Sequence, residues 1–164
     1  MKITDTFIAV ADDCPNAMGV APPQKGEGRT IARLHYDLLS EHPYEFDIDA
    51  LNFEVYCLKN HIAPEHRDAH RVEFFAKGHP CMRASPLTKS YGFGAHYDGA
   101  GRIAIYPVDS RAYSKFLDSG LRVEKAMRGT RIDKKPRSKR EKLLLAEAAG
   151  ANPSRGPQGF KPAA

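Results

Sequence analysis

The 164-residue sequence lacks a complete catalytic, metal-binding or nucleotide-binding motif. Its three cysteines, Cys14, Cys57 and Cys81, have no CxxC spacing, which argues against a disulfide framework and against a thiolate zinc site. No run reaches the roughly 18 apolar residues needed to span a bilayer, and the apolar run at 7–11 is too short for a signal peptide. We therefore expect a cytoplasmic protein that has no contact with membranes and no metal or cofactor.

Charge is segregated along the chain. Residues 1–121 carry 13 Lys and Arg against 16 Asp and Glu, whereas residues 122–142 carry 10 against 3. The net charge of +5 therefore comes from the later stretch. We predict a single folded domain over residues 1–121. Residues 122–164 are predicted to be a basic, Pro- and Gly-containing, largely disordered tail with a short helix at 139–149.

Two kinds of pattern predict strands. The apolar run at 7–11 ends in turn residues and is typical of a buried strand. Leu51, Phe53, Val55 and Cys57 alternate with their neighbours at a period of two, which predicts a half-buried strand over 51–58. Two further runs flank the turn at 98–101, so residues 91–107 are predicted to form a β-hairpin.

Capping residues and apolar spacing predict three helices. The first starts after Thr30 and ends before Pro43. The second covers 64–77 and would turn Val72 and Phe75, with Ala69 and Ala76, towards the core, and the third runs from the 109–110 cap to residue 120. The predicted fold is α+β, in the order βαβαββα. It has a small, mainly antiparallel sheet, a β-hairpin in its C-terminal half, and helices on one face.

The segment at 79–96 concentrates reactive side chains next to the hairpin. Arg83 and Lys89, with the hydroxyls of Ser85 and Tyr91, can hold a carboxylate or phosphate, and His96 is the candidate acid-base group. A structural alternative stays open, in which the arginine pairs with an acidic neighbour and the serine belongs to a turn. The side chains can act as a site only if they converge on one cavity.

A pair of histidines, His66 and His70, lies at helical spacing within the second predicted helix. Arg67 occupies the position where a zinc-protease motif has glutamate, so we interpret the pair as a solvated polar face and predict no metal site.

Three motifs resemble those of a family of small bacterial proteins classed as a domain of unknown function. They are MKITDTFIAVADDCP at 1–15, CMRASPLTK at 81–89 and YGFG at 91–94, followed by the hairpin. The resemblance covers about residues 1–128. It implies common descent and brings no catalytic residue with it.

Two functional hypotheses follow from the sequence. In the first, the domain takes a small anionic ligand at 79–96, either as a binding protein or as an enzyme. In the second, it is an interaction protein that tethers weakly and non-specifically to nucleic acid, or to an acidic partner, through the basic stretch at 122–142.

Overall fold

Four strands form one mixed sheet in the computed structural model, which describes residues 2–129. They are β1 (Thr6–Ala9), β2 (Phe93–Tyr97), β3 (Ile103–Pro107) and β4 (Arg122–Lys125). The strand order is β3-β2-β1-β4. β2 pairs antiparallel with both β1 and β3, whereas β4 pairs parallel to β1.

Five α-helices surround this sheet. They are α1 (Ile31–Glu41), α2 (Ile48–Lys59), α3 (Arg67–Phe75), α4 (Pro86–Lys89) and α5 (Arg111–Asp118). Single 3₁₀ turns precede α3 at Pro64–His66 and α4 at Met82–Ala84. Within the described residues, no helix is long and apolar enough to cross a membrane.

The α+β class, the first strand, the first helix, the hairpin and the third predicted helix are confirmed. Thr30 caps α1 by accepting a hydrogen bond from Arg33 N at 3.2 Å, and Ser110 caps α5 in the same way. The predicted order βαβαββα is wrong, because the chain forms four helices between β1 and β2 and a fourth strand after α5.

The predicted strand at 51–58 is part of helix α2. Leu51 and Val55 lie one turn apart, as do Phe53 and Cys57, so the two pairs occupy nearly opposite sides of the helix. Leu51 is buried in the core against the sheet, while Phe53 and Cys57 are buried against Phe74 of α3. Burial on two opposite sides repeats every second residue, and this mimics the pattern of a strand.

The second predicted helix exists, but its core face was predicted wrongly. Val72 is 79% exposed and Phe75 is 39% exposed, whereas Phe74 is buried. Phe74 packs at an angle against the rings of Phe53 and Tyr56, so α3 docks on α2 rather than on the sheet. A short helix that packs through one aromatic residue has no periodic stripe from which its buried face could be predicted.

Helices cover both faces of the sheet, not one as predicted. Ile8 and Ala95 contact the core shared with α1, α2 and α4. Phe7 and Ala9 point the other way and pack against Tyr113 of α5. Because neighbouring side chains alternate across a strand, both faces of β1 are apolar and both need a cover.

β4 lies beyond residue 121, where the predicted domain ended. The compact unit extends over Met1–Thr130. β4 is an edge strand of mostly exposed residues, so its sequence does not alternate between apolar and polar positions. Its strand conformation comes from backbone pairing with β1. The predicted tail helix at 139–149 and the rest of the predicted disordered tail lie outside the described residues.

Gly94 on β2 allows the sheet and α5 to approach closely. A Cβ at this position would lie 2.6 Å from ring atoms of both Phe7 and Tyr113. We expect Gly94→Ala to destabilise the domain by about 1–3 kcal/mol, because two buried rings would have to shift. A urea-denaturation midpoint measures the effect.

Gly78→Ala is the matched control, because nothing lies within 4 Å of a Cβ at Gly78. Equal midpoints for the two variants would show that the contact at Gly94 is not tight.

Candidate functional site

A cavity of about 390 Å³ lies between α1, α2 and the segment that enters α4. We call it the His35 cavity. Its volume falls within the roughly 300–1,000 Å³ typical of small-molecule sites. Its apolar wall includes Ile31, Ile48, Val55, Pro80 and Pro86. Its polar groups include His35, Asn52, Lys59, His79, Cys81 and Ser85.

His35 and Ser85 form a buried polar pair in the wall of this cavity. The two residues are 5% and 4% exposed, and His35 Nδ1 lies 3.0 Å from Ser85 Oγ. Ser85 also caps α4, since its Oγ accepts a hydrogen bond from Leu87 N at 3.3 Å. The serine therefore links α1 to α4 through one hydroxyl group.

The hydrogen-bond pattern assigns the histidine tautomer. If the Ser85 hydroxyl donates to Nδ1, its proton has an acceptor and the imidazole carries its own proton on Nε2. In the described part of the chain, the opposite tautomer would leave the hydroxyl proton without an acceptor. Within residues 2–129, His35 Nε2 is buried and has no hydrogen-bond partner. Leaving such a donor unpaired costs about 1–3 kcal/mol, which a ligand oxygen could recover.

Burial makes His35 a neutral donor. Desolvation lowers the pKa of His35 from its ordinary 6.5 to about 4, so the imidazole is uncharged near neutral pH. Ser85 Oγ accepts the capping hydrogen bond of α4, and among residues 2–129 no carboxylate binds Nε2 of the ring, so the pair lacks the features of an activated serine nucleophile. The geometry therefore favours ligand binding over acyl transfer by this pair.

Of the predicted ligand contacts, only Ser85 lines the His35 cavity. Arg83 is held against β4, where its Nε donates to Lys125 O at 3.0 Å and its Nη1 lies 3.4 Å from Glu124 Oε2. Lys89 is the half-buried last residue of α4, and Tyr91 packs at the margin of the main core. The arginine thus has the structural role that the sequence left open as the alternative.

His96 lies on the other face of the sheet. Its Nδ1 is 2.8 Å from Tyr44 Oη, which is also 2.7 Å from Tyr106 Oη, and its ring stacks on Phe116 at 4.3 Å. Desolvation lowers the pKa of His96. Side chains alternate along β2, so Tyr97 faces the main core while His96 faces α5. The structure therefore does not bring the five predicted residues together.

Sequence reasoning missed His35, although a pattern pointed to it. The residue lies between Leu34 and Leu39 within the apolar face of α1, four positions after Ile31. A histidine at such a position must be neutral, hydrogen-bonded or functional, because burial of its charged form is costly. Cys81 is a half-buried free thiol and lines the cavity.

No group of three or more His, Cys, Asp or Glu side chains in the described part of the chain could hold a metal ion. Arg67, between the two predicted polar histidines, makes a bidentate pair with Glu54 at 2.7 and 3.1 Å. This pair joins α3 to α2.

The α+β fold and its ligand-sized cavity define a small domain without a motif of known chemistry. The chain belongs to DUF6157, a family of unknown function, whose pattern matches residues 1–132. The resemblance to a domain of unknown function, stated from the sequence, is thereby confirmed. Comparisons with curated proteins and with solved structures gave no match.

The lowered pKa of His35 makes stability depend on pH. In the unfolded chain the histidine takes up a proton near pH 6.5, whereas in the folded protein it stays neutral down to about pH 4. Its contribution is therefore present above pH 6.5 and is lost as pH falls towards 4, by about 3 kcal/mol in total. We expect the urea-unfolding free energy of His35→Gln to fall less steeply over this range than that of the wild type.

His66→Gln is the control, since His66 is exposed. Carboxylates contribute equally to all three proteins, so parallel curves for wild type and His35→Gln would contradict a neutral, buried His35.

Proposed function

We propose that this domain binds a small organic ligand in the His35 cavity, with an uncharged oxygen of the ligand accepting a hydrogen bond from His35 Nε2. The observation that carries the proposal is the buried, unpartnered ring nitrogen of a residue that lines a cavity of about 390 Å³. Buried polar groups of native proteins almost always have partners. With a small shift of the covered ring towards the cavity, a ligand oxygen would supply the missing partner, and the apolar wall would bury the rest of the molecule.

Charge favours an anionic ligand, as the sequence hypothesis proposed. Among the described residues, neither Asp nor Glu lines the His35 cavity, whereas the exposed Lys59 does. The wall also includes residues 79–81 and 84–86, the first part of the predicted 79–96 segment. Lys89 and Tyr91, which lie outside the wall, are not needed for this proposal.

A cytoplasmic location remains part of the proposal. Cys14, Cys57 and Cys81 are all free thiols, which suits a reducing compartment.

Removal of the His35 donor should weaken binding. We expect a thermal-shift screen of amphipathic carboxylates to find ligands that raise the melting temperature of the full-length protein. For such a ligand, His35→Phe should raise Kd about tenfold, because the ring is retained while one buried hydrogen bond is lost. Isothermal titration calorimetry measures Kd for the wild type and for His35→Phe.

His66→Phe, an exposed histidine replaced in the same way, should leave Kd unchanged. Alkylation of Cys81, which lines the cavity, should slow when the ligand is bound, whereas alkylation of Cys14, which does not line it, should not. Ligands that bind His35→Phe as tightly as the wild type would refute the site.

The basic stretch supports a second candidate, tethering to nucleic acid or to an acidic partner. Three of its ten cations belong to the folded domain, where Arg122 pairs with Glu124, and Lys125 and Arg128 pair with Asp12. The other seven lie at 131–142, so counterion release would depend on this shorter stretch.

Neutralisation of that stretch tests the second candidate. We expect replacement of Lys134, Lys135, Arg137, Lys139 and Arg140 by Gln to abolish oligonucleotide binding in a fluorescence-anisotropy titration at low salt. Arg122→Gln is the control in the folded domain. Equal binding by the wild type and the fivefold variant would exclude the tail as the binding element.

A further inference from the structure

A second cavity of about 420 Å³ lies next to the His35 cavity. We call it the Arg29 cavity; its walls are Glu27, Gly28, Arg29, Leu34, Leu58, Lys59 and His61. Lys59 lines both cavities. The same two helices form walls of both, since Leu34 directly precedes His35 on α1 and Leu58 directly precedes Lys59 on α2.

The two cavities differ in chemistry. The Arg29 cavity is lined by two permanently charged cations, Arg29 and Lys59, and by one histidine. Its single carboxylate is that of Glu27. Arg29 is 55% exposed and lies 3.8 Å from Asp37, whose carboxylate is bound more closely by Arg33 at 2.8 Å. Within residues 2–129, no carboxylate lies within ion-pair distance of Lys59. Both cations can therefore take another anion at little cost.

We infer that the ligand is an elongated amphipathic molecule with a terminal anion, whose apolar part and uncharged oxygen occupy the His35 cavity while its anion lies between Arg29 and Lys59. This inference rests on the proposed function. The shared Lys59 is the observation that joins the two cavities into one site.

Desolvation fixes the orientation of the ligand. A carboxylate placed against His35 would lose its hydration and gain one hydrogen bond from a neutral imidazole, which does not repay the loss. The same carboxylate in the Arg29 cavity keeps part of its hydration and gains two cations, one of which is the planar fork of Arg29. An uncharged carbonyl or hydroxyl oxygen suits His35 instead.

The probe is N-octanoylglycine, which has an apolar chain, an amide carbonyl and a terminal carboxylate. Its methyl ester is the matched neutral probe. We expect the full-length protein to bind the acid at least tenfold more tightly than the ester in isothermal titration calorimetry. Added salt should weaken binding of the acid and leave binding of the ester unchanged.

Two variants test the position of the anion. Lys59→Met and Arg29→Gln should each raise Kd for the acid about fivefold or more and leave Kd for the ester within twofold. Lys115→Met is the matched control, because Lys115 is exposed on α5 and lines neither cavity. It should change neither value.

Failure of this inference differs from failure of the proposed function. Equal affinity of the wild type for acid and ester, or no effect of either cation variant, overturns the position of the anion. In that case His35→Phe would still weaken both probes, and the proposed function would stand. If His35→Phe binds both probes as well as the wild type does, or if the wild type binds neither, the proposed function fails and the inference fails with it.

Discussion

The hydroxyl of Ser85 is the constraint on which the site depends. It caps the short helix α4 and reaches across to His35 of α1, so one buried group both begins a helix and joins two elements. Thr88 adds a second buried hydroxyl, which donates to Met82 O and Ser85 O and closes the same segment upon itself. These bonds fix the Ser85 hydroxyl on Nδ1 of His35 and leave Nε2 of the same ring buried without a hydrogen-bond partner in the described part of the chain. Burying polar groups in an apolar wall costs free energy unless every one of them has a hydrogen-bond partner. In the described part of the chain, Nε2 of His35 has none.

Local chemistry made part of the fold predictable from the sequence. Thr30 and Ser110 cap helices where their spacing to apolar residues predicted, and the turn at Asp98 is held by backbone amides of Ala100 and Arg102. Long-range packing decided the rest. Leu51 and Cys57 have their positions because α2 is enclosed between the core and α3, and no local pattern distinguishes this from a strand. β4 has an exposed, charged sequence and owes its conformation to β1.

The candidate site shows the same division. Ser85 was identified because hydroxyls and cations cluster near it in the sequence, and it does line the cavity. Arg83 was predicted for the same reason, but its guanidinium contacts Lys125 and Glu124 on β4. Closeness in sequence does not determine which group an arginine side chain binds in the folded protein. His35 lies fifty positions before Ser85 and enters the site only through the tertiary fold. The density of reactive residues along the chain therefore pointed to one wall of the His35 cavity, whereas His35 itself lies far from that segment in the sequence.

The two-sided burial of α2 also affects how variation along this helix should be interpreted. Leu51, Phe53, Val55 and Cys57 are buried, Val55 at the wall of the His35 cavity, while the residues between them are partly exposed. A map of tolerated substitutions would thus alternate at every second position through a continuous helix. Natural variants of the family would show the same alternation, and methods that assign secondary structure from such tolerance would classify α2 as extended chain.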